Sequence, residues 1–258
     1  MTIFKIQHPI LDDFRITYGF FTRSGGTSEK PFDSLNCSFN NEDFLSNVKE
    51  NLGLVRKELN LDKIIQLNQV HSSRVITLKN KNYNLKGADG IVTNLKGIGL
   101  SILGADCAPI LFYDNVLKII GACHAGWRGA VNNIIETTIT KMENLGSKRN
   151  NITAIIGPTI HKKSYEIKED VAKIVKSSTF YKENSSILFD KKKGEYLFDL
   201  PLLLKESLKL SKIKKIGDVD RDTYANSNLF FSHRRSTHES TSQKVRTGRQ
   251  ISVIGILN

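Results

Sequence analysis

Ile110-Leu-Phe-Tyr113, the pair Asp114-Asn115, Val116-Leu-Lys-Ile-Ile-Gly-Ala122 and then Cys123-His-Ala-Gly-Trp-Arg-Gly129 form the stretch on which the reading of the fold turns. Two apolar runs rich in β-branched and aromatic residues flank an Asp-Asn turn signal, and that pattern predicts a hairpin. Val131, Ile134, Ile135, Thr138, Ile139 and Met142 then recur at helical spacing. His124 is therefore expected where a buried strand ends and a helix begins. Such a junction leaves backbone donors free beside the rim of a sheet, which suits catalysis and anion binding.

Outward from this stretch, other elements are legible. Phe44, Val48, Leu52, Val55 and Leu59 lay one apolar stripe along a helix, with Asn40, Asn41, Glu42 and Asp43 as capping and dipole-compatible residues at its start. Val70, Arg74 to Leu78, Ile98 to Leu103, Ile152 to Ile156 and Ile251 to Leu257 read as strands. Asp199-Leu-Pro201 opens a leucine-rich helix with a cap and a proline in its first turn. Strands and helices alternate without a regular βαβ rhythm, so a mixed-sheet α+β fold is preferred to a doubly wound one. No repeat or Pro/Gly/Ser-rich linker divides the chain, and a single domain over residues 1–258 is the simplest organisation.

The composition bounds the function. With 258 residues, 39% of them hydrophobic, the chain can bury a sizeable core, which excludes disordered and fibrous classes. The longest apolar stretch, Gly97 to Tyr113, is broken by Asp106, so no membrane span is expected. The first ten residues lack the features of an export signal, and a cytoplasmic location is expected. Three cysteines, Cys37, Cys107 and Cys123, are an odd number and read as reduced thiols. The net charge of +12 invites a nucleic-acid reading, but 27 of the 38 basic residues are lysines in short, dispersed groups such as Lys191-Lys-Lys193. A solvated surface and a small anionic partner account for it without nucleic acid. The basic run holding His233, Arg234, Arg235, His238, Lys244, Arg246 and Arg249 reads the same way, with only Arg235 and Arg249 given functional weight.

No P-loop, properly spaced dinucleotide loop, nucleophile elbow or zincin helix is present. What remains is His71, Cys107 and His124, separated by 36 and 17 residues and each at a strand end. One thiolate and two imidazoles suit Zn²⁺, and three protein ligands leave a fourth position for water or substrate. Spacing alone equally allows cysteines that pack a core and a histidine that faces solvent.

The choice between these readings comes from a resemblance. Phe21-Thr-Arg-Ser-Gly-Gly26, Ser34-Leu-Asn36, Gln69-Val-His71, Ala88-Asp-Gly90, Ala105-Asp-Cys107, His124-Ala-Gly-Trp-Arg-Gly129, Gly157-Pro158, Phe231-Ser-His-Arg-Arg235 and Thr247-Gly-Arg249 resemble, in order, the laccase-domain family. That family is also called polyphenol oxidase, peptidoglycan editing factor or multifunctional purine nucleoside phosphorylase. The resemblance implies a mixed α/β layered sandwich of β-sheets flanked by helices, in which His71, Cys107 and His124 are catalytic zinc ligands. It implies phosphorolysis of adenosine, inosine, guanosine or methylthioadenosine, and deamination of adenosine, with purine nucleosides and phosphate as partners. Thr159 and Asp222 depart from the family pattern, standing where cysteines are common, the second in Asp222-Thr223 where the family commonly has Cys-Thr.

Further roles follow within the matched motifs. Arg23, followed by Ser24-Gly-Gly26, is the first choice for the phosphate, with loop pinning by an Asp as its plain alternative. Arg128 and Arg235 are further phosphate candidates, and Arg128 could instead pair with Asp106. Asp106 is read as an orienting or proton-transfer group, Gln69 as a reader of the base edge, and Trp127 as a stacking surface or core residue. Rival readings are copper on the same three ligands with phenol oxidation, a metal-free hydrolase using Cys107 and His124, and a non-enzymatic basic binding module. A four-copper site needs on the order of ten histidines, whereas the chain has six.

Overall fold

A computed structural model of the chain describes residues 2–80, 87–241 and 245–258; Lys244 lies outside the described residues. The Ile110–Ala122 stretch forms the centre of a six-stranded sheet. Its order is β13 (Lys215–Asp218), β9 (Ile152–Ile156), β7 (Ala108–Asp114), β8 (Ile119–Ala125), β5 (Gly90–Thr93) and β4 (Val75–Leu78). Pairing is parallel at the two margins and antiparallel between them. A five-stranded sheet lies against it, ordered β1 (Lys5–Ile6), β2 (Ile16–Phe21), β14 (Gln250–Ile256), β6 (Ile98–Gly104) and β3 (Lys63–Gln66), parallel only between β3 and β6. Strands β10 (Glu166–Lys168), β12 (Glu195–Phe198) and β11 (Leu188–Lys192) make a small antiparallel third sheet.

The predicted hairpin is β7 and β8, with a turn two to three residues later than expected. Asp114 Oδ1 accepts the N–H groups of Val116 and Leu117, which holds these two apolar residues in an exposed turn and starts the return strand at Ile119. The expected helix after His124 divides into α2 (Trp127–Val131) and α3 (Ile134–Glu143), because Asn133 between them is left-handed, at φ 64°. The leucine-rich helix forms as read: Asp199 accepts the Leu202 N–H at the start of α6 (Leu200–Leu210), with Pro201 in the first turn.

Helix α1 (Leu45–Glu58) corrects two expectations. Phe44 sits outside it, exposed at the N-cap position, and no side chain caps the helix, because Asp43 and Asn41 are drawn into a loop network with Ser28, Asn36 and Thr247. Asn51, on the buried face, donates to Ser28 Oγ and to the carbonyls of Ser34 and Asn36 and accepts the Thr27 N–H. Val70 is not in a strand; it belongs to the loop between β3 and β4.

Three cores define the layers. Leu111, Tyr113, Ile120 and Ala122 of the six-stranded sheet meet Tyr18, Phe20, Leu100, Ile102 and Ile254 of the five-stranded one. The alternate residues Ile110, Phe112, Cys123 and Ala125 face α3 and α6. On the outer side of the five-stranded sheet, Phe21, Ile251 and Val253 pack with Val55 of α1 and with Leu59 just beyond its end. The result is a helix–sheet–sheet–helix sandwich, and strands buried on both faces explain why the central runs read as continuously apolar. Each such large side chain contributes roughly 1.5–3 kcal/mol through burial. α4 (Glu169–Ser177), α5 (Thr179–Glu183) and α7 (His233–Glu239) complete the described helices.

Candidate metal centre

Cys107 lies in the short crossing from β6 to β7, where the chain passes from one sheet to the other. His124 sits on β8, opposite Pro109 of β7, so the hairpin register carries it to within reach of Cys107. His71 comes from the loop after β3. The three donor atoms lie within 4.8 Å of one another, with Cys107 Sγ 4.0 Å from His71 Nε2 and the two imidazoles edge to face. Among the described residues this is the one group of three or more such side chains poised for a metal.

The residue that organises the cluster is Asp89, immediately before β5. Its buried carboxylate accepts the Nδ1–H of His124 at 2.9 Å, the N–H of His71 at 3.0 Å, and both the N–H and the hydroxyl of Ser72. His71 is left-handed at φ 58°, a conformation that costs a non-glycine residue stability and persists here because Asp89 holds its N–H. Anchoring Nδ1 of His124 leaves its Nε2 for the cluster, the arrangement that metal-ligating histidines share. Burial raises the Asp89 carboxyl, but hydrogen bonds from His124 and Ser72 outweigh it and bring it to about 2. Burial likewise opposes ionisation of Cys107, yet the adjoining His124 and His71 lower its thiol to about 6. His124 is disfavoured as a cation by burial and raised overall to about 9 by Cys107 and Asp89. The site therefore favours a thiolate at neutral pH.

Gly126 closes the cluster from the other side. A Cβ there would stand 2.8 Å from Cys107 Sγ and 3.4 Å from His71 Cδ2, so the Ala-Gly-Trp turn approaches the donors as only glycine permits.

A cavity of about 350 Å³ opens over the three donors, within the range of small-molecule sites. Leu67, Leu103 and Ala105 give it apolar walls, and Asn40, His233 and Arg249 are among its polar groups. Among the described residues no Asp or Glu lines it. Burial disfavours the charged form of Arg249, whose guanidinium donates to the carbonyls of Thr247 and Gly248.

The other predicted site residues lie apart from the three donors or are bonded within the fold. Arg23 faces a separate surface hollow, salt-bridged to Asp33 at 3.1 Å and lying over Phe231, as the loop-pinning alternative required. Its glycines serve packing: a Cβ on Gly26 would come within 2.3 Å of the Ser34 carbonyl. Arg235 donates to the carbonyls of Thr223, Tyr224 and Phe230 and knits a loop. Gln69 borders the cavity, but both ends of its amide are taken by the backbone of Leu103. Asp106, at φ 91°, is bound by the Thr223 hydroxyl and the Arg234 N–H rather than by a cluster histidine. The departures from the family pattern gather here, since Thr159 donates to the Asp106 carbonyl. Arg128 is exposed over the Trp127 ring, without the expected pairing to Asp106, and Trp127 packs against the core. Asp89 and His233 went unread as site residues; the Ala88-Asp-Gly90 motif was a signal for the first.

A sandwich that gathers two histidines and a cysteine under one cavity defines a protein with a candidate mononuclear metal centre. The chain belongs to the family described as multi-copper polyphenol oxidoreductase laccase, whose model matches residues 17–257. It is 34% identical to a purine nucleoside phosphorylase of Rickettsia prowazekii over 86% of this chain and 90% of that one. A purine nucleoside phosphorylase of Escherichia coli, YfiH, is 31% identical over 92% of each chain. The crystal structure of the Bacillus licheniformis hypothetical protein YfiH superposes with a TM-score of 0.87 at 30% identity, covering 93% of this chain and 92% of that one. None of the helices among the described residues is long and apolar enough to cross a membrane.

Proposed function

We propose that the chain is a zinc-dependent purine nucleoside phosphorylase, acting on adenosine, inosine, guanosine and methylthioadenosine, and that it also deaminates adenosine. The observation that carries this reading is the convergence of His71, Cys107 and His124 beneath a cavity that, among the described residues, holds Arg249 and no carboxylate side chain. The names of its relatives support the same class.

The donor set fits one borderline-soft cation, since a thiolate and two imidazoles converge and His124 is oriented from behind by Asp89. Bound there, zinc supplies a Lewis acid that acidifies water. The chain's residues do the rest. Leu67, Leu103 and Ala105 exclude water from one side of a purine, and Asn40, Arg249 and His233 offer donors to its polar edges. In phosphorolysis, an oxygen of hydrogen phosphate attacks C1′ and the C1′–N9 bond breaks. Its electron pair leaves with the purine, which takes up the proton carried by phosphate, and ribose 1-phosphate is released. In deamination, water replaces the amino group at C6 and ammonia leaves. Phosphate and nucleosides are the partners of this reading, with no nucleic acid or membrane, and the setting is cytoplasmic.

Incubation with adenosine and inosine, with and without phosphate, followed by chromatography, tests it. Adenine or hypoxanthine released only with phosphate is expected, together with inosine formed from adenosine regardless of phosphate. Absence of both, with zinc present, refutes the reading. Copper on the same donors would instead give phenol turnover, which metal analysis of protein purified without added metal detects.

The lowered Cys107 thiol beside His124 favours one further reading, a metal-free nucleophilic cysteine. Activity that survives chelation and is lost on alkylation would select it; loss in chelator with rescue by zinc selects the metal.

A further inference from the structure

We infer that an inorganic oxyanion binds in a side chamber behind Cys107, between Arg234, Tyr165 and His233. Identifying that anion as the phosphate co-substrate rests on the phosphorylase reading; the site itself does not. The chamber has a volume of about 140 Å³ and shares Ala105, Cys107 and His233 with the main cavity. It is too small for a nucleoside, whose sites run to roughly 300 Å³ and above. A tetrahedral anion there and a nucleoside in the main cavity would meet across the shared wall.

The charges point the same way. Arg234 is half-buried, its Cζ lies 5.5 Å from the centroid of the Tyr165 ring, and its guanidinium has no hydrogen bond or ion pair among the described residues. Other arginines of this chain are spent on the fold: Arg149 on Glu136 and Glu143, Arg23 on Asp33, and Arg235 on three carbonyls. A half-buried guanidinium with five unused donors is stabilised by an arriving anion far more than by the fold around it. The Tyr165 hydroxyl also makes no hydrogen bond among the described residues, and it borders the chamber as a neutral donor, since burial raises its pKa. Asp106 is the one carboxylate in the lining among the described residues, and its two oxygens accept the Thr223 hydroxyl and the Arg234 N–H. Those bonds fix the backbone from which Arg234 projects, so the cation is aimed by the strand crossing that also carries Cys107.

Calorimetric titration of zinc-loaded protein with inorganic phosphate, without nucleoside, tests the site. Arg234→Gln is expected to weaken phosphate about 10- to 100-fold, and Tyr165→Phe about 2- to 10-fold. Arg234→Lys should restore part of the loss, while Arg221→Gln, at an exposed arginine outside both cavities, leaves affinity unchanged. Zinc content should be unaltered in Arg234→Gln and the melting temperature should fall only slightly, because the side chain makes no hydrogen bond or ion pair among the described residues and loses only its contact with the Tyr165 ring. Equal phosphate affinity in wild type and Arg234→Gln, or no phosphate binding by wild type, overturns the site. The phosphorylase reading fails separately: if no nucleoside is cleaved but phosphate binds through Arg234, the anion site stands alone. If cleavage proceeds with a phosphate KM that Arg234→Gln does not move, the reading stands and this site falls.

Discussion

Asp89→Asn keeps the shape of the side chain and removes its charge, and it separates the orientation of His124 from the mere presence of the three donors. The carboxylate accepts from five groups: the N–H groups of Val70, His71 and Ser72, the Ser72 hydroxyl and His124 Nδ1. An amide has one oxygen, so in either orientation its NH₂ meets donors. If the oxygen stays with Ser72 and Val70, the NH₂ drives the His124 proton from Nδ1 to Nε2, the nitrogen the cluster needs. Metal affinity should fall about 10- to 100-fold, as for other lost partners of ligating histidines. The fall should depend on pH. Cys107 and, after it, this carboxylate raise His124 to about 9, so at pH 7 a zinc ion must displace a proton that asparagine no longer helps to hold. The loss is therefore expected near 10-fold at pH 7 and nearer 100-fold above pH 9, where proton competition has vanished. Unpaired buried donors cost the metal-free fold about 1.5–3 kcal/mol. Chelator-competition titrations with zinc at both pH values, paired with urea unfolding of metal-free protein, measure these effects. Wild-type affinity at both pH values, or a loss no greater than the unfolded fraction explains, would refute the orienting role.

The remaining predictions concern the same region. Gly126→Ala inserts a methyl 2.8 Å from Cys107 Sγ, so zinc affinity should drop at least about 10-fold while the metal-free fold loses about 1–3 kcal/mol; unchanged affinity in a competition titration would contradict the close approach. Because the folded Cys107 thiol is lowered to about 6, its stabilising contribution is fully present above its ordinary value of 9.0 and lost as pH falls through 6. Zinc retained after dialysis should decline through that range. Between the two values His124 carries a proton and Cys107 does not, so zinc binding at pH 7.5 should release about one proton, read from binding heats in buffers of different ionisation enthalpy. Arg23→Ala should cost roughly 1 kcal/mol in urea unfolding, through Asp33 and Phe231, and leave the phosphate KM within about twofold; a KM raised tenfold would return Arg23 to the anion site.

The legible parts of this chain were those with one dominant local cause. Continuous apolar, β-branched runs and their length placed β7, β8 and β9, because a strand buried on two faces has few polar positions to confuse it. Asp199 and Pro201 placed the start of α6, because a cap and a fixed φ act within one turn. Boundaries were missed where a polar side chain changed allegiance. Asp114 took two turn N–H groups and moved the hairpin, and Asp43 joined the loop network instead of capping α1. Asn133 broke the helix after His124 with a left-handed backbone that no periodicity reveals.

The same contrast holds at the site. Residue types made His71, Cys107 and His124 candidate donors, and the resemblance of their motifs chose them over packing and solvent-facing readings, although His71 lies in a loop and not at a strand end. Neither was enough to assign the arginines. Arg23, Arg128, Arg235 and Arg249 look equivalent in sequence, each beside glycine or at an element end, yet one is salt-bridged, one lies over a tryptophan, one knits a loop and one lines the cavity. Arg234, set aside within a basic run, is left half-buried beside Cys107, against the Tyr165 ring but with no side-chain hydrogen bond or ion pair among the described residues. Periodicity, turn chemistry and donor type are local, so the chain by itself determined the sandwich's central strands and the three candidate ligands. Which charge is neutralised, and which is left free for a ligand, depends on neighbours up to 204 residues away, as with the Arg23 bond to the Ser227 carbonyl. Only the tertiary structure brings those neighbours together, and so only it decided where an anion can be held.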